Sequence, residues 1–147
     1  MGRGPVIRHV TSALGAGTLD NDALADRFSE WSAEDIYKKT GIRSRAVAMP
    51  GECASDLAAR AAERLFEISD DVTPDSIDVL VFCTQSPDQI LPTTACLLQE
   101  RLEIPTRAAA FDINQGCSGY VYALAVASSL LESCGGRRAL VLTGDTS

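Results

Sequence analysis

Three short apolar runs in the second half of the chain have the length of β-strands. They are IDVLVFC at residues 77–83, AAAFDI at residues 108–113 and ALVLTG at residues 139–144. The segments between them have helical periodicity, and Pro92 suits the first turn of a helix that continues through Leu102. Strands that are apolar on both faces and alternate with helices are typical of a parallel sheet covered by helices. We therefore predict an α/β fold with a βαβαβ core.

The second of these helices is predicted at residues 118–133. Apolar residues surround nearly its whole circumference, which predicts a central helix that is buried on all sides, and Gly135 with Gly136 ends it. In parallel sheets of this kind, functional residues gather at the carboxyl ends of the strands. Gln85, residues 114–117 and Asp145 occupy those positions and are candidates for the site.

The first half of the chain has weaker patterns. PVIRHVTSALG, at residues 5–15, indicates a strand that leads into a loop. Residues 21–31 favour a helix capped by Asn21 or Asp22, and helical spacing returns at residues 36–40. An amphipathic helix is predicted to begin at Ser55 or Asp56 and to end at Phe66.

Charge and composition exclude several classes of function. The formal net charge is −7, which leaves no broad basic surface for a nucleic acid partner. No apolar run reaches the length of a membrane span, and no signal peptide opens the sequence. The five cysteines are odd in number and lack the spacing of a zinc site, which indicates reduced cysteines and a cytoplasmic protein.

Cys117 is the candidate nucleophile. It occupies a predicted turn from strand to helix, a geometry that exposes a nucleophile at the top of an α/β sheet. The amides of the first helical turn and the helix dipole favour a thiolate there. Gly116 and Gly119 leave room for a substrate carbonyl. Sequence physics alone leaves open whether Cys117 is a nucleophile or a small core residue.

The other titratable candidates have simpler interpretations. Four cysteines lie in segments without an activating group and are interpreted as small buried residues: Cys53, Cys83, Cys96 and Cys134. The single histidine, His9, falls in the predicted first strand close to the terminus and is interpreted as structural or solvated.

Four blocks of the sequence carry a resemblance to a known family. They are TGIRSR, SDLAARAAERLFE, VLVFCTQSPDQILPTTACLLQERL and AFDINQGCSGYVYAL with the LVLTGD strand that follows. Together they resemble the N-terminal half of β-ketoacyl-ACP synthase III enzymes, which have a thiolase-like fold. The resemblance covers nearly all of residues 1–147 and implies that the C-terminal half of the fold is absent from this chain.

The resemblance implies a decarboxylative condensation. Cys117 would take an acyl group from a thioester, and malonyl-ACP would then lose carbon dioxide and attack the acyl-enzyme. A His and an Asn from the second half of the family fold would handle the decarboxylation, and His9 does not match that His. The implied substrates are acyl-CoA or acyl-ACP, with no permanently bound cofactor and no metal. The implied partners are an acyl carrier protein and a second subunit, in a homodimer or a heteromer.

Several residues are implied to bind the substrate. Lys39 aligns with a basic residue that lines the family's entrance tunnel, and Thr40 and Arg43 are the further candidates beside it. The basic cluster at this point of the chain consists of Lys38, Lys39, Arg43 and Arg45. This cluster is either a solvated turn or a site for the phosphates of coenzyme A or phosphopantetheine.

Two positions depart from the family pattern. Asp35 replaces a tryptophan that stacks on the coenzyme A adenine. Leu91 replaces a phenylalanine that reaches the acyl pocket of the neighbouring subunit, so Leu91 is implied to bind the substrate in an acyl pocket of different shape. Two alternative functions remain: a non-catalytic thiolase-fold partner subunit, and an enzyme that transfers acyl groups without condensation.

Overall fold

The computed structural model describes residues 4–146 and has an α/β architecture. Within these residues the chain forms two compact units. The smaller unit is Leu14–Glu52, and the larger unit consists of residues 4–13 together with residues 53–146. In the described part of the chain, no helix is long and apolar enough to cross a membrane.

The smaller unit consists of two helices and a two-stranded antiparallel sheet. Its elements are β1 (Gly17–Asp20), α1 (Asn21–Arg27), α2 (Ala33–Thr40) and β2 (Ser44–Val47). In the register of the sheet, Gly17 pairs with Val47 and Asp20 pairs with Ser44.

Local capping sets the ends of these helices. Asp20 caps α1 by accepting a hydrogen bond from the amide of Ala23 at 2.9 Å, so the prediction that Asn21 or Asp22 is the cap was wrong. The α1 helix also ends at Arg27, earlier than predicted. A second helix then starts after Ser32, whose hydroxyl accepts from the amide of Asp35 at 3.1 Å. The helix predicted at residues 21–31 is therefore shorter than expected, and the helical spacing noted at residues 36–40 belongs to α2, which begins at Ala33.

The larger unit contains the parallel sheet and the helices that cover it. Its elements are α3 (Ala54–Ile68), a short 3-10 helix (Pro74–Ser76), β3 (Val79–Cys83), α4 (Thr94–Arg101), β4 (Ala109–Ile113), α5 (Gly119–Cys134) and β5 (Ala139–Thr143).

The sheet confirms the predicted βαβαβ core. Its strand order is β4-β3-β5, and both neighbours run parallel to β3. Cys83, the last residue of β3, pairs with Ile113 on one side and with Thr143 on the other. The three strands therefore end at the same edge of the sheet.

The central strand β3 is buried along its whole length and separates two apolar clusters. On one face, Leu80 and Phe82 pack with small residues of α3 and with Leu98 of α4. On the other face, Val79 and Val81 pack with Ala123 and Ala127 of α5. Small alanines on the helices allow close approach to the branched side chains of the strand.

Two sequence predictions about individual elements were wrong. Residues 5–15 contain no regular strand, and the side chains of Val6, Ile7 and Val10 are exposed. Pro92 does not open a helix, because α4 begins at Thr94, two residues later.

The α5 helix is buried on one side only, which corrects the prediction of burial on all sides. Gly119, Ala123 and Ala127 face the sheet, whereas apolar side chains on the other side are exposed to solvent. The exposed members of this outer face are Tyr120, Val121, Tyr122 and Val126. The sequence shows only that the side chains of α5 are apolar on all sides. Because one sheet can cover only one side of a helix, the other side stays exposed.

Asp112 of β4 holds the beginning of α4. Its carboxylate accepts hydrogen bonds from the amides of Thr94 at 2.8 Å and Ala95 at 2.7 Å, and no side chain of α4 itself provides a cap. We expect Asp112→Ala to lower the free energy of unfolding by about 1–2 kcal/mol, the usual cost of a lost N-cap. Asp112→Asn retains one acceptor oxygen and should lose less. Equal stability of all three proteins in chemical denaturation would contradict this assignment.

Candidate active site

The site forms where the three parallel strands end. Thr84, Gln85 and Ser86 follow β3, residues 114–117 follow β4, and Gly144 and Asp145 follow β5. The segments are joined directly: the amide of Thr84 donates to the carbonyl of Ile113 at 3.1 Å, and the amide of Gly144 donates to the carbonyl of Cys83 at 3.2 Å. The expected gathering of polar residues at this edge is therefore present.

Cys117 lies in the turn between β4 and α5, and its side chain is exposed. The turn is tight, because the amide of Gly119 donates to the carbonyl of Gly116 at 2.7 Å. The helix starts two residues after the cysteine. Cys117 therefore occupies the strand-to-helix position that its sequence context predicts, with its thiol accessible to a ligand.

Cys83 lies beneath the first turn of α5 and differs from Cys117 in burial. Its Sγ is 3.5 Å from the carbonyl oxygen of Gln115, to which the thiol can donate. Burial raises the pKa of the Cys83 thiol, with a smaller contribution in the same direction from the charge of Asp145. The buried thiol therefore stays protonated at neutral pH and is a poor nucleophile.

Gly119 is required by this close packing, because a Cβ at that position would collide with the Sγ of Cys83. We expect Gly119→Ala to destabilise the fold by about 1–3 kcal/mol, the typical cost of overpacking. The double variant Cys83→Ala with Gly119→Ala should recover most of this loss. Gly116→Ala is the matched control, since its Cβ would meet only the flexible end of Gln85. Thermal unfolding of the four proteins tests the contact, and a loss in Gly119→Ala that Cys83→Ala does not relieve would contradict it.

Three other cysteines were predicted to be buried, and this was wrong. Cys53, Cys96 and Cys134 are exposed. Cys53 precedes α3 and Cys134 is the last residue of α5, so both lie at helix ends where burial is incomplete. Cys83 alone among the four has the buried position that was expected.

The residues implied to bind the substrate fall into both units. Leu91 belongs to the larger unit, as Cys117 does, and lies in the loop between β3 and α4 with 78% of its surface exposed. Lys39, Thr40 and Arg43 belong to the smaller unit, at the end of α2 and just after it.

The cations of the smaller unit are stacked on aromatic rings. Lys39 Nζ lies 4.0 Å from the centre of the Trp31 ring, and the Arg43 guanidinium lies 4.2 Å from the centre of the Tyr37 ring. A cation over the face of an aromatic ring is attracted to it, which limits the motion of a long side chain. These two cations are therefore held on the surface in defined positions.

Their neighbours have local structural partners. Lys38 Nζ is 2.8 Å from Glu34 Oε1, and Arg45 donates to the amide oxygen of the buried Asn21 at 2.8 Å. The Thr40 hydroxyl donates to the carbonyl of Ile36 at 2.7 Å. Lys39 and Arg43 are therefore the members of the cluster most available to an anionic ligand.

Asp35 contributes to the start of α2. Its carboxylate accepts from the hydroxyl of Ser32 at 2.6 Å and from the Ser32 amide at 3.4 Å. These hydrogen bonds lower the pKa of the Asp35 carboxyl, the hydroxyl contribution being the larger. Asp35 thus completes a capping box in place of the aromatic residue that the family resemblance implies.

Thr84 is the residue of this edge that sequence reasoning missed. It is buried at 1% exposure, and its hydroxyl donates to Asp145 Oδ1 at 2.9 Å. A threonine directly after an apolar strand was the available signal, but only the register of β3 with β5 reveals its partner.

In residues 4–146, no group of three His, Cys, Asp or Glu side chains is arranged to hold a metal ion.

Comparison with known proteins agrees with this geometry. A family model described as 3-oxoacyl-[acyl-carrier-protein (ACP)] synthase III matches residues 111–147. A solved 3-oxoacyl-(acyl-carrier-protein) synthase III is 49% identical, with a TM-score of 0.90 over 94% of this chain and 41% of that chain. The chain belongs to the 3-oxoacyl-ACP synthase III family.

Two further structures support this assignment. The synthase from Burkholderia xenovorans LB400 is 37% identical, with a TM-score of 0.90 over 98% of this chain and 41% of that chain. AbyA1, a tetronic acid condensing enzyme, is also 37% identical, with a TM-score of 0.80 over 93% of this chain and 44% of that chain. The chain therefore has the thiolase-like fold of synthase III over about two fifths of the length of these structures.

Proposed function

We propose that this chain carries the acyl-accepting cysteine of a synthase III-type condensing enzyme. The observation that carries the proposal is the exposed Cys117 at the turn into α5, where the three parallel strands end. Cys83, beneath the first turn of α5, is buried and its pKa is raised, which leaves Cys117 as the accessible thiol of this edge. Membership in a family of acyl-transferring synthases supports the same role.

The proposed first step transfers an acyl group to the protein. The Cys117 thiolate attacks the carbonyl carbon of an acyl thioester, and a carbon–sulfur bond forms while the carbonyl oxygen becomes an oxyanion. The oxyanion collapses, the original thioester bond breaks, and the carrier thiolate leaves and takes up a proton. Backbone amides of the turn at Cys117 are suited to stabilise the oxyanion, because the turn precedes a helix N-terminus.

The proposed second step forms a carbon–carbon bond. Malonyl-ACP loses carbon dioxide, and the electron pair of the broken bond forms a carbanion equivalent that attacks the acyl carbonyl on Cys117. The Cys117 thioester then breaks and returns the thiolate, leaving a 3-oxoacyl-ACP. His9 is not assigned to this step, because it does not match the family's catalytic His; its Nε2 lies 3.5 Å from Asp71. We assign activation of the malonyl group to the part of the family fold that this chain does not cover.

We further propose that Lys39 and Arg43 of the smaller unit bind the phosphates of the acyl donor, with Thr40 between them in the sequence. Leu91 of the larger unit is proposed separately to contact an acyl chain. The stacked positions of the two cations support this assignment. Because Asp35 offers no ring for an adenine, acyl-ACP should serve as donor at least as well as acyl-CoA, and no permanently bound cofactor is required. The working assembly is proposed to be a homodimer.

Substitution at Lys39 tests this donor site. We expect Lys39→Ala to raise the KM for the acyl donor about two- to fivefold, the loss expected for an exposed ionic contact. Lys38→Ala is the matched control on the same helix, because Lys38 already pairs with Glu34. Steady-state kinetics with varied donor concentration measure both constants. Equal effects of the two substitutions would place the donor elsewhere.

A specialised condensation is the second candidate. The 37% identity to a tetronic acid condensing enzyme favours it over simple acyl transfer. In that case the acyl group on Cys117 would pass to a nucleophile other than decarboxylated malonyl-ACP.

Product analysis separates these functions. The intact protein is mixed with an acyl thioester and malonyl-ACP, and both carbon dioxide and the ACP-bound product are measured. A 3-oxoacyl-ACP formed with one equivalent of carbon dioxide supports the main proposal. Acyl-enzyme formation without carbon dioxide would exclude condensation with malonyl-ACP, and it is expected both for the second candidate and for acyl transfer without condensation. A protein that acquires no acyl group would overturn both and would favour a non-catalytic partner subunit.

A further inference from the structure

Asp145 joins the end of β5 to the end of β3. Its Oδ1 accepts hydrogen bonds from the Thr84 hydroxyl at 2.9 Å and from the Gln85 amide at 2.5 Å, with the Ser86 hydroxyl at 3.5 Å. The next residue adds another link, since the amide of Thr146 donates to Ser86 Oγ at 3.1 Å. One carboxylate oxygen therefore organises the whole turn that follows β3.

The same turn lies against the segment that carries Cys117. The side-chain amide of Gln85 occupies the space over Gly116, where a Cβ would be only 2.8 Å from Gln85 Oε1. The Thr84 amide bonds the carbonyl of Ile113, where the segment begins. The residue before Cys117 thus has Gln85 as its neighbour across the strand ends.

We propose that Asp145 is a positioning residue for Cys117, acting through Gln85. By fixing the turn after β3, Asp145 places the Gln85 side chain against Gly116 and restricts the conformations of the turn that presents the thiol. The proposal rests on the proposed role of Cys117 as the acyl acceptor. Asp145 touches neither the acyl group nor the thiol in this scheme.

A geometric role and a charge-only role make different predictions. If only the charge of Asp145 mattered, Asp145→Asn and Asp145→Ala should change the reaction rate of Cys117 to the same extent. Loss of positioning should instead slow the reaction more in Asp145→Ala than in Asp145→Asn. Asp145→Asn removes the charge and keeps an oxygen that can accept two hydrogen bonds, whereas Asp145→Ala removes both.

The first experiment uses the intact protein and iodoacetamide. The alkylation rate of Cys117 is followed by peptide mass mapping between pH 6 and 9, together with single-turnover acylation by an acyl thioester. We expect Asp145→Ala to lower the acylation rate about tenfold or more, as misplacement of a reacting group does. Asp145→Asn should lose less than about threefold. Equal loss in both variants, faster reaction in both, or no change in Asp145→Ala would overturn the proposal.

The second experiment uses Gln85→Ala. Because the Gln85 side chain is exposed, this substitution should leave the fold intact. If Asp145 acts through Gln85, the double variant should be no slower than the slower single variant, since effects that share one route are not additive. Multiplicative losses would show that Asp145 acts independently and would overturn the route. Failure of the unsubstituted protein to acquire an acyl group would instead reject the proposed function, and alkylation would still report on positioning.

Discussion

Replacement of Cys117 by alanine is expected to reduce condensation by about a thousandfold or more. Loss of a nucleophile removes the covalent route entirely, and only binding and oxyanion stabilisation remain. The measurement is kcat/KM for 3-oxoacyl-ACP formation in the intact protein. The decrease should fall on kcat, with donor binding largely retained, because the proposed donor contacts are made by Lys39 and Arg43.

The chain provides matched controls for this substitution. Cys96 and Cys134 are also exposed thiols, so Cys96→Ala and Cys134→Ala test whether accessibility alone is sufficient. Both variants should keep most of the activity. A large loss in either control, or retained activity in Cys117→Ala, would contradict the assignment of Cys117 as the acyl acceptor.

The second large effect concerns the outer face of α5, formed by Tyr120, Val121, Tyr122 and Val126. Val121 is 66% exposed and Tyr122 is 55% exposed. Covering apolar surface stabilises by about 25 cal/mol for each Å², and large exposed apolar patches drive association. Residues 1–147 expressed alone should therefore form oligomers or aggregate, and should not catalyse condensation.

Light scattering coupled to size-exclusion chromatography measures this association. Val121→Lys with Val126→Lys should shift residues 1–147 toward the monomer by placing two charges on the outer face. The matched control places a lysine at Ile68, which is 61% exposed at the end of α3. If the unsubstituted residues 1–147 are monomeric, the proposed association through the outer face is wrong. If they also condense acyl and malonyl thioesters, the malonyl group is activated within residues 1–147, which contradicts its assignment to another part of the fold.

The sheet could be predicted because its signal is local. Each core strand is a run of consecutive apolar residues, and the helices between strands fix a parallel arrangement. The predicted boundaries were close, with β3 beginning at Val79 instead of Ile77. Helix caps were harder, because Asp20, Ser32 and Asp112 act through hydrogen bonds that depend on backbone geometry. The cap of α4 in particular comes from Asp112 in strand β4, which follows the capped residues Thr94 and Ala95 by 18 and 17 positions in the sequence.

Burial could not be predicted from residue type alone. Residues 5–15 have the composition of a strand, yet Val6, Ile7 and Val10 are exposed because no neighbouring strand pairs with them among the described residues. The exposed half of α5 has the same cause. An apolar pattern records the capacity for burial, and the available partners decide whether burial occurs.

At the site, the position of Cys117 could be predicted because its surroundings are continuous in sequence. The strand, the flanking glycines and the helix occupy residues 108–133. The contacts of Asp145 with Thr84 and Gln85 span 61 and 60 residues and follow only from strand register. The stacking of Lys39 on Trp31 and of Arg43 on Tyr37 could not be predicted either, because it depends on the backbone geometry at the two ends of α2.

The central claim is that Cys117 accepts an acyl group, and intact-protein mass spectrometry tests it most directly. The intact protein is mixed with an acyl-ACP or acyl-CoA in the absence of malonyl-ACP, quenched in acid and digested for peptide mapping. We expect one added acyl mass, located on the peptide that contains Cys117 and absent from Cys117→Ala. No added mass, or a modification spread over the Cys96 and Cys134 peptides, would contradict the claim.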